Sequence, residues 1–118
     1  MCGIVGFLKS EIREKEYESI LQRMSKNIIH RGPDDYGIWY DYDSKIGLAH
    51  RRLSILDISK AGAQPMISPN NRYIIVYNGE IYNHLDLRKE LLSHNLVIGW
   101  EGSSDTETLL AGFENWGI

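Results

Sequence analysis

The chain has 118 residues, of which 42% are hydrophobic and 25% are charged, a balance that is typical of a globular protein and excludes a disordered or fibrous one. The formal net charge of -3 gives no basic field that would attract a nucleic acid or an anionic membrane, so neither is expected as a partner. The apolar runs are too short to span a bilayer and no signal-peptide pattern is seen, which favours a cytoplasmic location.

The first half of the chain predicts a strand, a helix and a hairpin. The run CGIVGFL at residues 2–8 is apolar and rich in glycine and β-branched residues, which favours a buried strand. Apolar residues then recur every three or four positions over residues 14–29, as in an amphipathic helix. That helix is expected to end at HRGPDDYG, with Gly32 in a left-handed conformation. The stretch GIWYDYDSKIGLAHRRLSIL predicts two strands joined by a turn at residues 41–44.

The next part of the chain predicts a long loop, a strand and a second helix. Residues 57–72 hold two of the three prolines and many turn formers, as a long loop would. The run RYIIVY predicts a fully apolar strand, which breaks at Asn78-Gly79, a pair able to adopt positive φ. Asn83 is the expected cap of a helix that continues to about Ser93.

A short strand and a third helix complete the predicted elements. The strand is expected at residues 96–98. In SSDTETLLAGFENWG, Ser104 is the expected cap residue, and Glu107 three positions later completes a capping box. Gly117 is expected to end this helix. No internal repeat or linker interrupts the pattern, so one domain is predicted.

The chain's single cysteine is Cys2, directly after the initiator methionine. A small buried hydrophobic residue is the ordinary interpretation of an isolated cysteine. If Met1 is removed, however, Cys2 carries the chain's α-amine and its thiol on one residue, which unites a general base with a nucleophile for acyl transfer. A disulfide within the chain is excluded, and no metal cluster is expected because the histidines lack metal-binding spacing: His30, His50, His84 and His94.

Three further positions offer chemistry that an acyl-transfer site needs, although each also has a structural interpretation. Asn78-Gly79 presents a side-chain amide and an unobstructed backbone N–H as oxyanion donors, but the pair also suits a tight turn. Arg52 is either a ligand for a carboxylate or a surface charge at a strand end. Asp105 is either a ligand for an ammonium group or a residue that favours the start of a helix.

Taken in order, six stretches of the sequence resemble one family. These are MCGIVGF, HRGPDDYGIW, GLAHRRLSILD, QPM, YNGEIYNHLDLRKEL and GSSDTETLLAGFENWG. Together they resemble the glutaminase domain of asparagine synthetase, a class II glutamine amidotransferase of the N-terminal-nucleophile hydrolase superfamily. The resemblance implies an α+β fold, a four-layer αββα sandwich of antiparallel sheets that is C-terminally truncated in residues 1–118.

The resemblance also implies a role for particular residues. Cys2 is expected to be the nucleophile, with its own α-amine as base, and Asn78 and Gly79 are expected to form the oxyanion hole. The glutamine pocket is expected to be lined by Arg52, Leu53, Ser54, Ile55, Leu56, Asn78, Gly79, Glu80 and Asp105. Arg52 and Asp105 have the right signs for the two charged ends of free glutamine.

The activity implied is hydrolysis of L-glutamine to glutamate and ammonia through a γ-glutamyl thioester. No cofactor is expected for this step. Residues 1–118 are expected to be part of a type 2 glutamine amidotransferase domain, and the synthetase domain, which would use ATP and Mg²⁺ to amidate aspartate, is expected to be absent from the sequence. That domain of a full-length protein is the expected partner, and a homodimer is left open.

Two other functions remain open from the residues alone. One is an N-terminal-nucleophile amidase that acts on another amide or passes ammonia to another acceptor. The other is a non-catalytic or regulatory fragment that binds glutamine without turnover, which retention of Met1 would favour because the α-amine would then be blocked.

Overall fold

The structure, a computed structural model, describes residues 1–8, 11–54 and 58–118. The chain forms two compact units. The first comprises Met1–Ser54, Ala63–Pro65 and Val76–Asn78, and the described part of the second comprises residues 58–62, 66–75 and 79–118. Over the described ranges, no helix has both the length and the apolar character needed to cross a membrane.

A three-stranded antiparallel sheet is the centre of the first unit. Its strands are β1 (Gly3–Leu8), β2 (Asp35–Asp41) and β3 (Ile46–Arg52), in the order β1-β3-β2. The register pairs Gly3 with Arg51 and runs without a break to the pair Leu8 and Ile46. The predicted first strand and the predicted hairpin are thus confirmed, and the hairpin turn lies at residues 42–45, one position later than expected.

The helix α1 (Tyr17–Lys26) packs across all three strands of this sheet and follows a 3-10 turn at Glu14–Glu16. Tyr17 and Leu21, on the face of α1 that packs against the sheet, are buried, in agreement with the predicted apolar stripe. The Tyr17 ring meets the rings of Phe7 and Tyr42 edge-on, with centroids 4.9 and 5.0 Å away. These edge-to-face contacts pack Phe7 and Tyr42 against the buried core of the first unit, to which Tyr17, Leu21 and Ala49 belong.

The HRGPDD segment differs from its prediction at the glycine. A 3-10 turn at Ile29–Arg31 follows α1, and Gly32 has an extended backbone with φ of -155°, so the left-handed conformation was wrong. A Cβ atom on Gly32 would lie 2.5 Å from the backbone of Arg51. The position therefore needs glycine because two backbone segments touch, not because the chain turns left-handed.

The second unit contains a short antiparallel ribbon of β4 (Met66–Ile67) and β5 (Ile74–Ile75). The predicted strand over RYIIVY was therefore too long. The partner strand β4 ends before Ser68, whose hydroxyl accepts hydrogen bonds from the N–H groups of Arg72 and Tyr73. Because these backbone groups belong to the turn, the ladder contains only two residues on each side.

Asn83 occupies the cap position before the helix α2 (His84–Ser93), as predicted, although its side chain makes no capping hydrogen bond. At its other end the N–H groups of Asn95 and Leu96 bond to the carbonyls of Leu92 and Leu91, and Asn95 has a φ of 55°. This is the Schellman arrangement of a helix end. The strand predicted at residues 96–98 was wrong, because Leu96 uses its N–H to close the helix.

The helix α3 (Asp105–Trp116) packs against α2, with Leu91 and Leu110 buried. The Ser104 hydroxyl accepts the N–H of Thr106 at 3.1 Å, which confirms the predicted cap, and Gly117 ends the helix with a φ of 85°. Together the described residues form a mixed α and β structure with two antiparallel sheets and three α-helices.

Candidate active site

The Cys2 thiol lies where the β1–β3 pairing ends. Its sulfur accepts the backbone N–H of Leu53 at 3.3 Å and lies 3.7 Å from the Leu53 carbonyl oxygen, to which the thiol donates. Cys2 is half-buried, whereas Met1 is 71% exposed. The antiparallel register of β1 and β3 ends with the pair Gly3 and Arg51, so the residue before β1 lies close to the residues that end and follow β3. The structure thus places the thiol against one of its predicted neighbours.

Arg52, the last residue of β3, is only 7% exposed. Its neighbour Arg51 has an evident structural role, because its Nε donates to the Ser25 carbonyl at 3.1 Å and its guanidinium lies 4.7 Å from the centre of the Tyr36 ring. Successive side chains of a strand point to opposite faces of the sheet. Arg52 therefore lies on the face opposite to Arg51, together with His50.

The HRGPDD turn holds the segment that follows β3. The Asp34 N–H donates to the Arg52 carbonyl at 3.1 Å, and the Asp34 carboxylate accepts the Ser54 N–H at 2.7 Å. The same turn lies close to β1, since a Cβ on Gly3 would be 3.0 Å from the Cβ of Arg31. It therefore supports both β1 and residues 52–54. Two other predicted pocket residues, Ile55 and Leu56, lie outside the described residues.

Asn78, the predicted oxyanion donor of the first unit, is exposed and follows a tightly held residue. The N–H of Tyr77 donates to the Gln64 side-chain oxygen at 2.6 Å. The Tyr77 carbonyl lies 3.2 Å from Nε2 of His50, close enough for a hydrogen bond. Side chains from two separate segments thus bind both backbone groups of the residue before Asn78.

His50 is a buried histidine that stays neutral. It is 1% exposed, and its Nδ1 has no hydrogen-bond partner among the described residues. Burial lowers the pKa of His50, and the nearby charge of Arg52 acts in the same direction, against the opposing effects of the Tyr77 carbonyl and of Asp35. A neutral ring has a single N–H, and because a carbonyl can only accept, Nε2 carries it.

The second unit contains the other predicted site residues. Gly79 and Glu80 are exposed, whereas Asp105 is 6% exposed at the first position of α3. One oxygen of the Asp105 carboxylate accepts the N–H of Ile81 at 2.8 Å. Asp105 therefore has a structural role in tying the segment after Gly79 to the start of α3, and it retains further lone pairs for a cation.

A buried arginine of α2 fixes the loop in front of Asp105. Arg88 donates to Oγ1 of Thr108 and to the carbonyls of Gly102 and Ser104 at distances of 2.7 to 2.8 Å. It also forms an ion pair of 3.3 Å with Glu107, and its guanidinium lies 4.2 Å from the centre of the Trp100 ring. The carboxylate of Glu107, predicted to complete a capping box, instead accepts the N–H groups of residues 101 and 102.

Sequence reasoning missed three of these residues. His50 was considered only for metal-binding spacing, yet its position two residues before Arg52 in a predicted strand places both on one face. Gln64 carried a resemblance, in QPM, but no predicted role. Arg88 was given no predicted role, because no local pattern indicates that its partners come from α3 and the preceding loop.

The chain belongs to a family of known chemistry. The family model of the glutamine amidotransferase domain matches residues 1–118, the whole of this sequence. The chain is therefore a member of the glutamine amidotransferase domain family, as the resemblance implied.

The named relatives of the chain are asparagine synthetases. The chain is 40% identical over 118 residues to asparagine synthetase [glutamine-hydrolyzing] 1 of Bacillus subtilis, covering 98% of this chain and 18% of that protein. It is 40% identical over 136 residues to a putative asparagine synthetase [glutamine-hydrolyzing] 2 of Methanocaldococcus jannaschii, covering 100% of this chain and 25% of the relative. Over 118 residues it is 34% identical to asparagine synthetase [glutamine-hydrolyzing] 1 of Arabidopsis thaliana, covering 100% and 19%. The chain thus spans a quarter or less of the length of these relatives.

Proposed function

We propose that this chain is the glutamine-hydrolysing part of an asparagine synthetase-like amidotransferase and that it converts L-glutamine to glutamate and ammonia. Membership of the glutamine amidotransferase family and the names of the relatives support this function. The observation that carries it is the contact of the Cys2 thiol with the backbone of Leu53, the residue that follows Arg52.

In this proposal Cys2 becomes the first residue when Met1 is removed. Because Met1 is 71% exposed, its loss sacrifices little buried contact. The freed α-amine then takes the thiol proton, and the sulfur attacks the carbon of the glutamine side-chain amide. A thiolate can no longer donate to the Leu53 carbonyl, but it still accepts the Leu53 N–H.

The oxyanion formed by the attack is proposed to bind the side-chain amide of Asn78 and the backbone N–H of Gly79. The protonated α-amine returns its proton to the leaving nitrogen, the carbon–nitrogen bond breaks, and ammonia departs. Water, deprotonated by the same amine, then hydrolyses the γ-glutamyl thioester and releases glutamate and the free thiol. Each turnover therefore consumes one glutamine and one water and produces one glutamate and one ammonia.

Recognition of free glutamine is assigned to groups of opposite charge. Arg52 is proposed to bind the α-carboxylate through paired hydrogen bonds, and Asp105 to bind the α-ammonium group. Leu53, Ser54, Ile55, Leu56 and Glu80 complete the proposed pocket. A glutamine side chain within a protein would offer peptide bonds in place of both charges, so the ionic contacts proposed for Arg52 and Asp105 would be lost.

The proposal extends to the longer protein that the relatives indicate. There the two antiparallel sheets would form part of a four-layer αββα sandwich, and a synthetase region would use the ammonia for ATP-dependent amidation of aspartate. We expect glutamine hydrolysis to need no cofactor and ATP and Mg²⁺ to serve only the amidation step. The proposed location is the cytoplasm, where these small substrates are available.

Ammonia release from L-glutamine tests the proposed function. The full-length protein with Met1 removed is compared with its Cys2→Ala variant, which keeps the fold but lacks the nucleophile. We expect release by the wild type and a loss of at least 1,000-fold, on the order of that seen for other removed nucleophiles, in the variant. Equal release by both proteins would refute the proposal. A wild type that has lost Met1, and so has a free α-amine on Cys2, but releases no ammonia would instead favour a glutamine-binding role without turnover.

A further inference from the structure

We propose that His50 and Gln64 are positioning residues of the glutaminase reaction, which hold the Tyr77 backbone and thereby set the direction of the Asn78 oxyanion donor. The inference rests on the proposed function. We refer to His50, Gln64 and Tyr77 together as the Tyr77 clamp. All three residues, and Asn78 itself, belong to the first compact unit.

The clamp binds both polar groups of one residue. Gln64 accepts the Tyr77 N–H at 2.6 Å, and Nε2 of His50 donates to the Tyr77 carbonyl, 3.2 Å away. That carbonyl belongs to the planar peptide unit that joins Tyr77 to Asn78. Fixing the plane fixes the nitrogen and Cα of Asn78, so that only its own φ and side-chain torsions are left to direct the side-chain amide.

The backbone before Asn78 lies outside the described strands. The ribbon strand β5 ends at Ile75, and residues 76–78 belong to no strand over the described ranges. An oxyanion donor must be held within a fraction of an ångström to be effective. The Tyr77 clamp supplies a side-chain restraint on this part of the backbone.

The surroundings of the clamp are built for it. His50 lies in the central strand β3, between Ile4 of β1 and Gly37 of β2 in the register. Gly37 has no side chain at the place where the backbone carbonyl of Gln64 approaches, and a Cβ there would overlap that carbonyl. The glycine therefore admits the Gln64 segment close to His50, which brings the two arms of the clamp to the same residue.

The protonation state of His50 preserves its hydrogen bond to the Tyr77 carbonyl. With Nε2 donating to Tyr77, a second proton would have to sit on the buried Nδ1, which has no partner among the described residues. Burial lowers the pKa of His50 and so favours the neutral ring. The hydrogen bond to the Tyr77 carbonyl is therefore present in the same form throughout the neutral pH range.

A matched pair of variants of the full-length, Met1-processed protein tests the clamp. His50→Leu removes the donor, whereas His50→Gln retains an N–H group that can reach the Tyr77 carbonyl. We expect His50→Leu to lower kcat/KM for ammonia release by about 10- to 100-fold, less than the loss of an entire oxyanion donor. We expect His50→Gln to recover most of this loss. KM should change little, because positioning of the donor acts on the transition state.

A second readout separates positioning from a merely structural role. The γ-aldehyde analogue of glutamine adds to the Cys2 thiol and places an oxyanion at the position of the transition state. Its affinity should fall in His50→Leu by the same factor as kcat/KM. In a Cys2→Ala background, which cannot react, the affinity for L-glutamine itself should stay within about twofold, because ground-state binding does not use the oxyanion donor.

Several results would overturn the proposed positioning role of the Tyr77 clamp. These are an unchanged kcat/KM in a folded His50→Leu variant, a parallel loss of glutamine affinity, and the absence of recovery in His50→Gln. If His50→Leu does not fold, Gln64→Met and Gln64→Glu give the same comparison from the other arm, since only glutamate keeps an acceptor for the Tyr77 N–H. Failure of both His50→Leu and Gln64→Met to fold would mean ordinary core residues and would also refute the inference.

The proposed function fails in a different way. If the wild type releases no ammonia above the level of Cys2→Ala, the glutaminase assignment is wrong whatever the clamp variants do. If the wild type is active, the variants test the clamp alone.

Discussion

Arg51 and Arg52 are adjacent and both buried, yet strand geometry gives them different tasks. Arg51 is engaged by the Ser25 carbonyl and the Tyr36 ring on the side of α1. Arg52 lies on the other face of the sheet and adjoins Leu53, whose backbone contacts the Cys2 thiol. We therefore propose substrate recognition for Arg52, whereas Arg51 has a packing role.

Replacement of Arg52 by lysine tests this assignment. The charge remains but the planar fork is lost, so a carboxylate can no longer be bound through two parallel hydrogen bonds. We expect Arg52→Lys to raise KM for L-glutamine by about 10-fold, with a smaller effect on kcat, in steady-state measurements of ammonia release. The matched control is Arg23→Lys, exposed on α1. A KM that rises no more in Arg52→Lys than in the control would contradict the role.

The buried neutral His50 predicts a pH dependence of stability. Its pKa is lowered in the folded protein, so the unfolded chain takes up a proton first as the pH falls. The contribution to the free energy of unfolding is complete above the ordinary histidine pKa of 6.5 and is lost as the pH falls from there to the lower folded value. Within that window the slope is at most about 1.4 kcal/mol per pH unit.

Urea unfolding of wild type and His50→Gln between pH 7.5 and about 5 measures this contribution. The charges nearest to the ring, Arg52 and Asp35, are common to both proteins, as are the other three histidines. The wild type should lose more stability than the variant as the pH falls. Identical pH profiles would show that His50 is not a buried neutral base.

At the scale of elements, Arg88 joins α2 to α3 and to the loop between them. Replacement by methionine keeps an apolar stem but leaves the carbonyls of Gly102 and Ser104 and the carboxylate of Glu107 without their cation. We expect Arg88→Met to lower the free energy of unfolding by about 2 to 4 kcal/mol, because unsatisfied buried groups are costly. Denaturant titration gives this value directly.

The neighbouring Lys89 supplies the control for this prediction. It pairs with Asp86 at the same distance of 3.3 Å, but both side chains are more than three-quarters exposed. Exposed pairs contribute little, so Lys89→Met should change stability by less than about 0.5 kcal/mol. Equal effects of the two substitutions would contradict the network assigned to Arg88.

The elements that the sequence predicted well are those determined by local patterns. The apolar spacing of α1, the Ser104 cap of α3 and the turn residues of the hairpin all depend on neighbours within a few residues. The strand predicted over RYIIVY is shorter than expected, and the one at residues 96–98 was wrong, because nearby turns use their backbone groups. Ser68 closes the first turn and the end of α2 closes the second.

Over the whole molecule, the order of motifs was more informative than any single one. It led to the family, which the family model confirms over residues 1–118. It could not supply the contacts made across long sequence separations, such as His50 with Tyr77 or Arg88 with Ser104. Those partners are set by the register of β3 and by the packing of α2 on α3, and neither leaves a local pattern.

A covalent intermediate would identify Cys2, freed of Met1, as the nucleophile of the proposed reaction. The full-length protein is mixed with L-glutamine, quenched in acid within one turnover and digested for peptide mass spectrometry. We expect a γ-glutamyl adduct on the sulfur of a peptide that begins at Cys2, and no adduct in Cys2→Ala. Rapid ammonia release without that adduct, or an adduct on another residue or on a peptide that retains Met1, would contradict this expectation.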